Sequence, residues 1–163
     1  MEYTILNEAE NYFDDLENIK TIELGTGQNF YVLNNGKPYI CLKVEAFNAF
    51  TDAVIFNDYL YIGNYYNGLY IVNLKDFAVR NIEISGYFGY FHLLNDVLYV
   101  LGCCYIIKFD SFSNIIWKSD HIAVDGILFN EIIDNVIYIN CEMDPPGGWI
   151  ERTIDAITGK EIR

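Results

Sequence analysis

The sequence predicts an all-β fold built from four repeats of a four-stranded antiparallel meander, a small or incomplete β-propeller. Three observations carry this. The phrase Tyr59-Leu60-Tyr61-Ile62 returns as Val97-Leu98-Tyr99-Val100 and Val136-Ile137-Tyr138-Ile139, each after an Asn/Asp pair: Asn57-Asp58, Asn95-Asp96 and Asp134-Asn135. With a fainter copy at Glu17-Asn18, the second member of each pair falls at 18, 58, 96 and 135, intervals of 40, 38 and 39 residues. No long segment places apolar residues at helical spacing, and β-branched and aromatic residues dominate. Only Asn7 to Glu17 suits a short helix.

Each repeat reads as four strands, A to D. Strand A is Tyr12-Phe13, Ala53 to Phe56, Phe91 to Leu94, and Leu128 to Ile133. A polar two-residue turn then leads into strand B, the hairpin signal: Ile19 to Ile22 and the three copies of the repeated phrase. Strand C is Phe30 to Leu33, Leu69 to Val72, Tyr105 to Phe109, and Trp149 to Ile154, followed by the turn residues Asn34, Asn73, Asp110 and Asp155. Strand D is Tyr39 to Leu42, Val79 to Ile84, Ile115 to Trp117, and Lys160 to Ile162. The repeats cover about 11–50, 51–89, 90–126 and 127–163 of one domain, 1–163. A meander apolar on both faces is unstable alone, and stacking the repeats buries those faces. Tyr3 to Leu6 is the candidate for an added strand closing the ring against the last repeat.

Ile154-Asp155-Ala156-Ile157-Thr158-Gly159-Lys160-Glu161-Ile162 resembles the strand-turn-strand phrase of quinoprotein-like (PQQ-type) propeller repeats, which carry an Asp, a Thr-Gly-Lys turn and a nearby Trp. Asp110 to Lys118 is a second copy, with Trp117 in place. The resemblance implies a fold and transfers no active site. Quinone-binding members have more blades and a channel of cofactor ligands that four repeats do not supply, so no cofactor is expected.

With 23 acidic and 10 basic residues the formal net charge is −13. That balance argues against nucleic acid and anionic membrane as partners, since both would be repelled. At 52% hydrophobic the chain can bury a sizeable core, which excludes disorder. No apolar run is long enough to span a membrane, and the first residues lack a basic n-region. Cys41, Cys103, Cys104 and Cys141 form no C-x-x-C pair, and adjacent Cys103 and Cys104 suit a structural disulfide poorly. Buried thiols in a cytoplasmic protein are expected.

Catalytic and metal sites are not expected. His92 lies mid-strand and His121 in a D-to-A connection, without metal-ligand spacing. The serines lack a nucleophile elbow. Gly25-Thr26-Gly27 and Gly86-Tyr87-Phe88-Gly89 do not lead into helices, so they are loops rather than phosphate cradles. Carboxylate pairs such as Asp14-Asp15 and Asp120 with Asp125 are expected by chance in so acidic a chain.

The charge is uneven. Residues 1–19 hold six carboxylates and residues 119–151 hold seven, and neither stretch contains Lys or Arg. In a propeller, B–C loops and D–A connections share one face. That face would gather Glu45, Phe47, Asp52, Tyr65, Tyr66, Tyr87, Phe88, Asp120, Asp125, Glu142 and Asp144, aromatics among carboxylates, as in protein-binding surfaces. The expected partner is a basic protein. In size, charge and cytosolic character the chain resembles the small acidic β-rich immunity proteins of bacterial toxin systems, which implies a toxin nuclease domain as partner and no enzymatic activity. The alternatives are a propeller-type scaffold for a neutral or peptide partner, and an enzyme or small-ligand binder using a central channel near His92.

Overall fold

The computed structural model describes residues 2–7, 19–45, 51–64, 68–144 and 147–162. These residues form strands β1 (Tyr3–Asn7), β2 (Lys20–Glu23), β3 (Gly27–Asn34), β4 (Lys37–Glu45), β5 (Asp52–Phe56), β6 (Tyr59–Asn64), β7 (Gly68–Asn73) and β8 (Val79–Ile82). They continue with β9 (Phe88–Leu94), β10 (Val97–Gly102), β11 (Ile106–Phe109), β12 (Ile115–Lys118), β13 (Gly126–Ile133), β14 (Val136–Met143), β15 (Gly148–Asp155) and β16 (Glu161–Ile162). No helix occurs among the described residues, and so none is long and apolar enough to cross a membrane.

The strands make four four-stranded sheets, ordered β1-β3-β4-β2, β5-β6-β7-β8, β9-β10-β11-β12 and β13-β14-β15-β16, here sheets 1 to 4. Sheets 2 to 4 are the expected antiparallel meanders. Their first hairpins turn on the repeated Asn/Asp pairs. Asn95 and Asp96 have φ of 49° and 57°, and Asp134 and Asn135 have 51° and 64°, the doubly left-handed turn that matches strand twist. The C–D turns are held by their first residue. One carboxylate oxygen of Asp110 accepts from the N–H groups of Phe112 and Asn114, each at 2.8 Å. Asp155 does the same for Ile157 and Thr158.

Sheet 1 departs from the expected order. Ile19 to Ile22 was placed as strand B of the first repeat, but β2 lies on the outer edge, parallel to β4, with Thr21 opposite Cys41. The opposite edge is taken by β1, antiparallel to β3 with Ile5 opposite Val32, and packed beside β5. Tyr3 to Leu6 therefore does not pair with the last repeat. The reason is burial. β1 turns Ile5 toward sheet 2 and Leu6 toward Tyr31 and Cys41, so both of its faces are partly covered, whereas three of four β2 residues are exposed. Tyr12-Phe13 and the short helix expected beyond Asn7 lie outside the described residues.

Three apolar cores separate the four sheets. Phe30, Val32, Ile40 and Leu42 of sheet 1 meet Leu60, Ile62 and Val72 of sheet 2. Tyr61, Leu69 and Ile71 on the opposite face of sheet 2 meet Leu98, Val100, Ile107 and Phe109 of sheet 3. Tyr99, Leu101 and Ile106 of sheet 3 then meet Ile137, Ile139 and Ile154 of sheet 4. Alternate residues of β6 and β10 thus serve successive cores, which is why Tyr59 to Ile62 and Val97 to Leu101 are apolar or aromatic throughout. Gly63 keeps the second core tight: a Cβ there would lie 2.2 Å from the Phe88 ring.

A side chain near the outer edge of each sheet also docks into the C–D turn of the next. Tyr39 donates its hydroxyl to the Leu74 carbonyl at 2.8 Å. Arg80 donates to the carbonyl oxygen and, at 2.8 Å, to the hydroxyl of Ser113. Trp117 donates its indole N–H to the Ala156 carbonyl at 3.1 Å. Among the described residues the packing runs from sheet 1 to sheet 4 and is not closed by sheet 4 against sheet 1.

Candidate functional site

One end of the sheets carries the B–C turns, the ends of the D strands and the starts of the A strands. Contacts tie this end together. Asn64, fully buried at the end of β6, donates its amide to the Glu45 carbonyl. Tyr87 accepts the Cys103 N–H on its carbonyl at 3.0 Å, and donates its hydroxyl to the Asp125 carbonyl. Glu142 receives the Val124 N–H on its carbonyl at 2.8 Å.

Where the edge strands β9 and β13 adjoin, these contacts frame a hollow of about 240 Å³, whose lining includes Tyr87, Asp125, Leu128, Glu142 and Trp149. Glu142 and Trp149 are cross-strand partners, so their side chains leave the same face side by side. Gly126 lets both come close, since a Cβ there would stand 3.4 Å from the Glu142 carboxylate and from the Trp149 ring. Trp149 is 48% exposed. Asp125 and Glu142 make no ion pair among the described residues. The hollow therefore offers aromatic surface beside carboxylates, with no Lys or Arg among its described lining residues.

Of the expected partner-binding residues, Tyr87, Asp125 and Glu142 come together here. Asp120 and Asp144 are exposed near the same end without lining the hollow. Glu45 ends β4 and Asp52 begins β5, so both belong to sheets 1 and 2, away from it. Phe88 is a correction: it is fully buried, in the core between sheets 2 and 3, because the β9 alternation turns it toward Gly63 and Phe91 rather than solvent. Phe47, Tyr65 and Tyr66 lie outside the described residues. Trp149 and Leu128 were missed as site residues. Their signal was alternation in β15 and β13, legible only once the outward face was known.

The reactive side chains elsewhere are muted by burial. His92 on β9 stacks on Phe129 with ring centres 3.9 Å apart, and burial lowers its pKa. Cys103 and Cys104 hold their sulfurs 2.9 Å apart. Burial, with Cys103 beside it, pushes the Cys104 thiol up to about 12, which disfavours the nucleophilic thiolate. Among the described residues no His, Cys, Asp and Glu side chains cluster as a metal site would.

No family model and no curated protein matches the chain. Among solved structures it is similar to the computationally designed Ika4 protein, with a TM-score of 0.51 and 8% identity over 73% of this chain and 74% of that one. It is also similar to the computationally designed Ika8 protein, with a TM-score of 0.46 and 7% identity over 86% of this chain and 60% of that one. The likeness to Ika4 is one of fold alone.

Proposed function

We propose that the chain is a non-enzymatic binding protein that takes a basic protein at the end carrying Tyr87, Asp125, Glu142 and Trp149, and that it belongs with cytoplasmic proteins that neutralise basic nuclease-type toxins. One observation carries the proposal: the hollow where the edges of sheets 3 and 4 adjoin sets an exposed indole beside carboxylates that make no ion pair among the described residues, within a stretch of sequence that has no Lys or Arg from 119 to 151. Aromatic anchors supply contact area at little entropic cost, and a carboxylate rim speeds encounter with a cationic partner. The four stacked sheets are taken as an open propeller of the quinoprotein-like kind. The seating of Trp117 on the Asp155–Gly159 turn supports that relationship.

The test is affinity capture from the source cells with the tagged chain, followed by stopped-flow association with the captured protein. A basic partner is expected, with an association rate that falls at least tenfold between low and physiological salt and falls further in Asp125→Lys/Glu142→Lys. Inhibition of a captured nuclease would establish the toxin-neutralising class. A neutral or acidic partner bound at a salt-independent rate would overturn the proposal in favour of a scaffold.

A further inference from the structure

The recurring tyrosine of the B strands marks a face that no sheet of the described residues covers. Tyr61, Tyr99 and Tyr138 occupy the same position in β6, β10 and β14. Each points toward the next sheet in the succession. Tyr61 is 0% exposed and Tyr99 is 2% exposed, each buried by that next sheet, but Tyr138 is 38% exposed. Strand D repeats the pattern. Arg80 and Trp117, opposite Ile71 and Lys108, dock into the following sheet, whereas Ile162, opposite Thr153, is exposed. The outward face of sheet 4 thus presents Leu128, Ile133, Tyr138, Trp149 and Ile162, all exposed. An apolar face of this extent marks a docking surface.

Its charge identifies the occupant. Glu131, Glu142 and Glu151 alternate with those apolar residues, and none has an ion-pair partner among the described residues. Glu131, Tyr138, Glu151 and Thr153 border a hollow of about 410 Å³, large enough for a long cationic side chain; Arg152 also borders it but is held by Glu161, which leaves Glu131 and Glu151 free of an ion-pair partner among the described residues. A second copy fits poorly. Face-to-face pairing would oppose carboxylates with carboxylates. Head-to-tail pairing would need an open far face on sheet 1, where Tyr31 and Cys41 are already 6% and 4% exposed, packed with Leu6 and Ile19.

We infer that the outward face of sheet 4 is a docking surface for a protein segment in which Arg or Lys alternates with apolar side chains, the cation seating between Glu131 and Glu151 over Tyr138. This rests on the proposed basic partner and extends its footprint beyond the Tyr87–Asp125 hollow.

The experiment uses the full chain and an acetylated peptide alternating Arg and Val, with a Glu-Val peptide as control. Binding is followed by tryptophan fluorescence, where exposed Trp149 reports, and by sedimentation. The Arg-Val peptide is expected to bind, with affinity reduced at least tenfold by Glu131→Gln/Glu151→Gln and by Tyr138→Ser, and changed less than twofold by Glu23→Gln on the exposed edge of sheet 1. Unfolding midpoints of the variants establish that they are folded. Loss in Asp125→Asn alone would overturn the sheet 4 surface while leaving the basic-partner proposal standing. Equal binding of the Glu-Val peptide, no binding of either peptide, or self-association abolished by Tyr138→Lys would overturn the inference.

Discussion

The indole of Trp117 lies directly beneath Gly159 of the next sheet and donates to the carbonyl of Ala156, three residues before it. Gly159 has a φ of +73°, and a Cβ on it would stand 2.6 Å from the indole ring. Only glycine satisfies both conditions. Gly159→Ala is expected to cost about 2–4 kcal/mol, combining left-handed strain with overpacking. Trp117→Ala is expected to cost about 3–5 kcal/mol. Urea midpoints with unchanged m values provide the check. A neutral Gly159→Ala would show that the ring is not seated there.

The Asn95-Asp96 hairpin makes an asymmetric prediction. Both residues are left-handed, a conformation Asn, Asp and Gly tolerate and β-branched residues do not. Asp96→Gly should leave stability within a few tenths of a kcal/mol, glycine's entropic cost offsetting its relief of strain. Asp96→Val should destabilise by about 1–2 kcal/mol. Equal effects of the two substitutions would refute the turn geometry.

Acid sensitivity should concentrate in two turn carboxylates. The N–H groups of Thr158 and Ile157 hold the Asp155 carboxyl below its ordinary pKa. At Asp110 partial desolvation pulls upward, but hydrogen bonds from Asn114 and Phe112 outweigh it and bring the pKa down. A carboxyl depressed in the folded state stabilises fully above its unfolded pKa of about 3.9, and that contribution disappears as pH falls through the folded value. Asp155→Asn and Asp110→Asn should therefore flatten the decline of stability below about pH 4. An unchanged slope in both would count against these turns as the acid-labile points.

His92 acts at higher pH. Burial against Phe129 lowers its pKa, so below about 6.5 the unfolded chain takes up the proton first. Its neutral form contributes fully above about pH 6.5, and stability declines as pH falls from there through the folded value. His92→Phe, which keeps an aromatic ring against Phe129, should remove that part of the slope. Denaturation midpoints between pH 7 and 5 measure it, and parallel curves for the two proteins would exclude the effect.

The vicinal thiols should be unreactive while the protein is folded. With its pKa raised to about 12, Cys104 carries almost no thiolate at neutral pH, and Cys103 is buried. Iodoacetamide at pH 7.5 should label both at least tenfold faster in denaturant than in buffer, by mass spectrometry. Rapid labelling of the native chain would place these sulfurs in solvent.

Much of the architecture was legible because its signals are local. A left-handed two-residue turn needs Asn or Asp where Asn95-Asp96 and Asp134-Asn135 stand, and a strand buried on both faces needs apolar residues at every position, as in Tyr59 to Ile62. The first repeat misled for the same reason. Ile19 to Ile22 has local strand character, but its pairing with β4 rather than β3 depends on β1 taking the free edge of β3, and the paired residues of β1 and β3 are more than twenty positions apart. Of the expected surface, Asp125 and Glu142 were recognisable as base-free acidity. Phe88 was misplaced because a four-residue Gly-Tyr-Phe-Gly stretch has too little alternation to say which ring turns inward.

By itself the sequence determined the β class, the repeat length, the turns of sheets 2 to 4 and the uneven acidity, since each follows from the conformational and charge preferences of neighbouring residues. Only the tertiary structure decided that Tyr61 and Tyr99 are core while the equivalent Tyr138 faces outward. The three tyrosines have the same local sequence preference, and what separates them is whether a sheet of the described residues packs against that face.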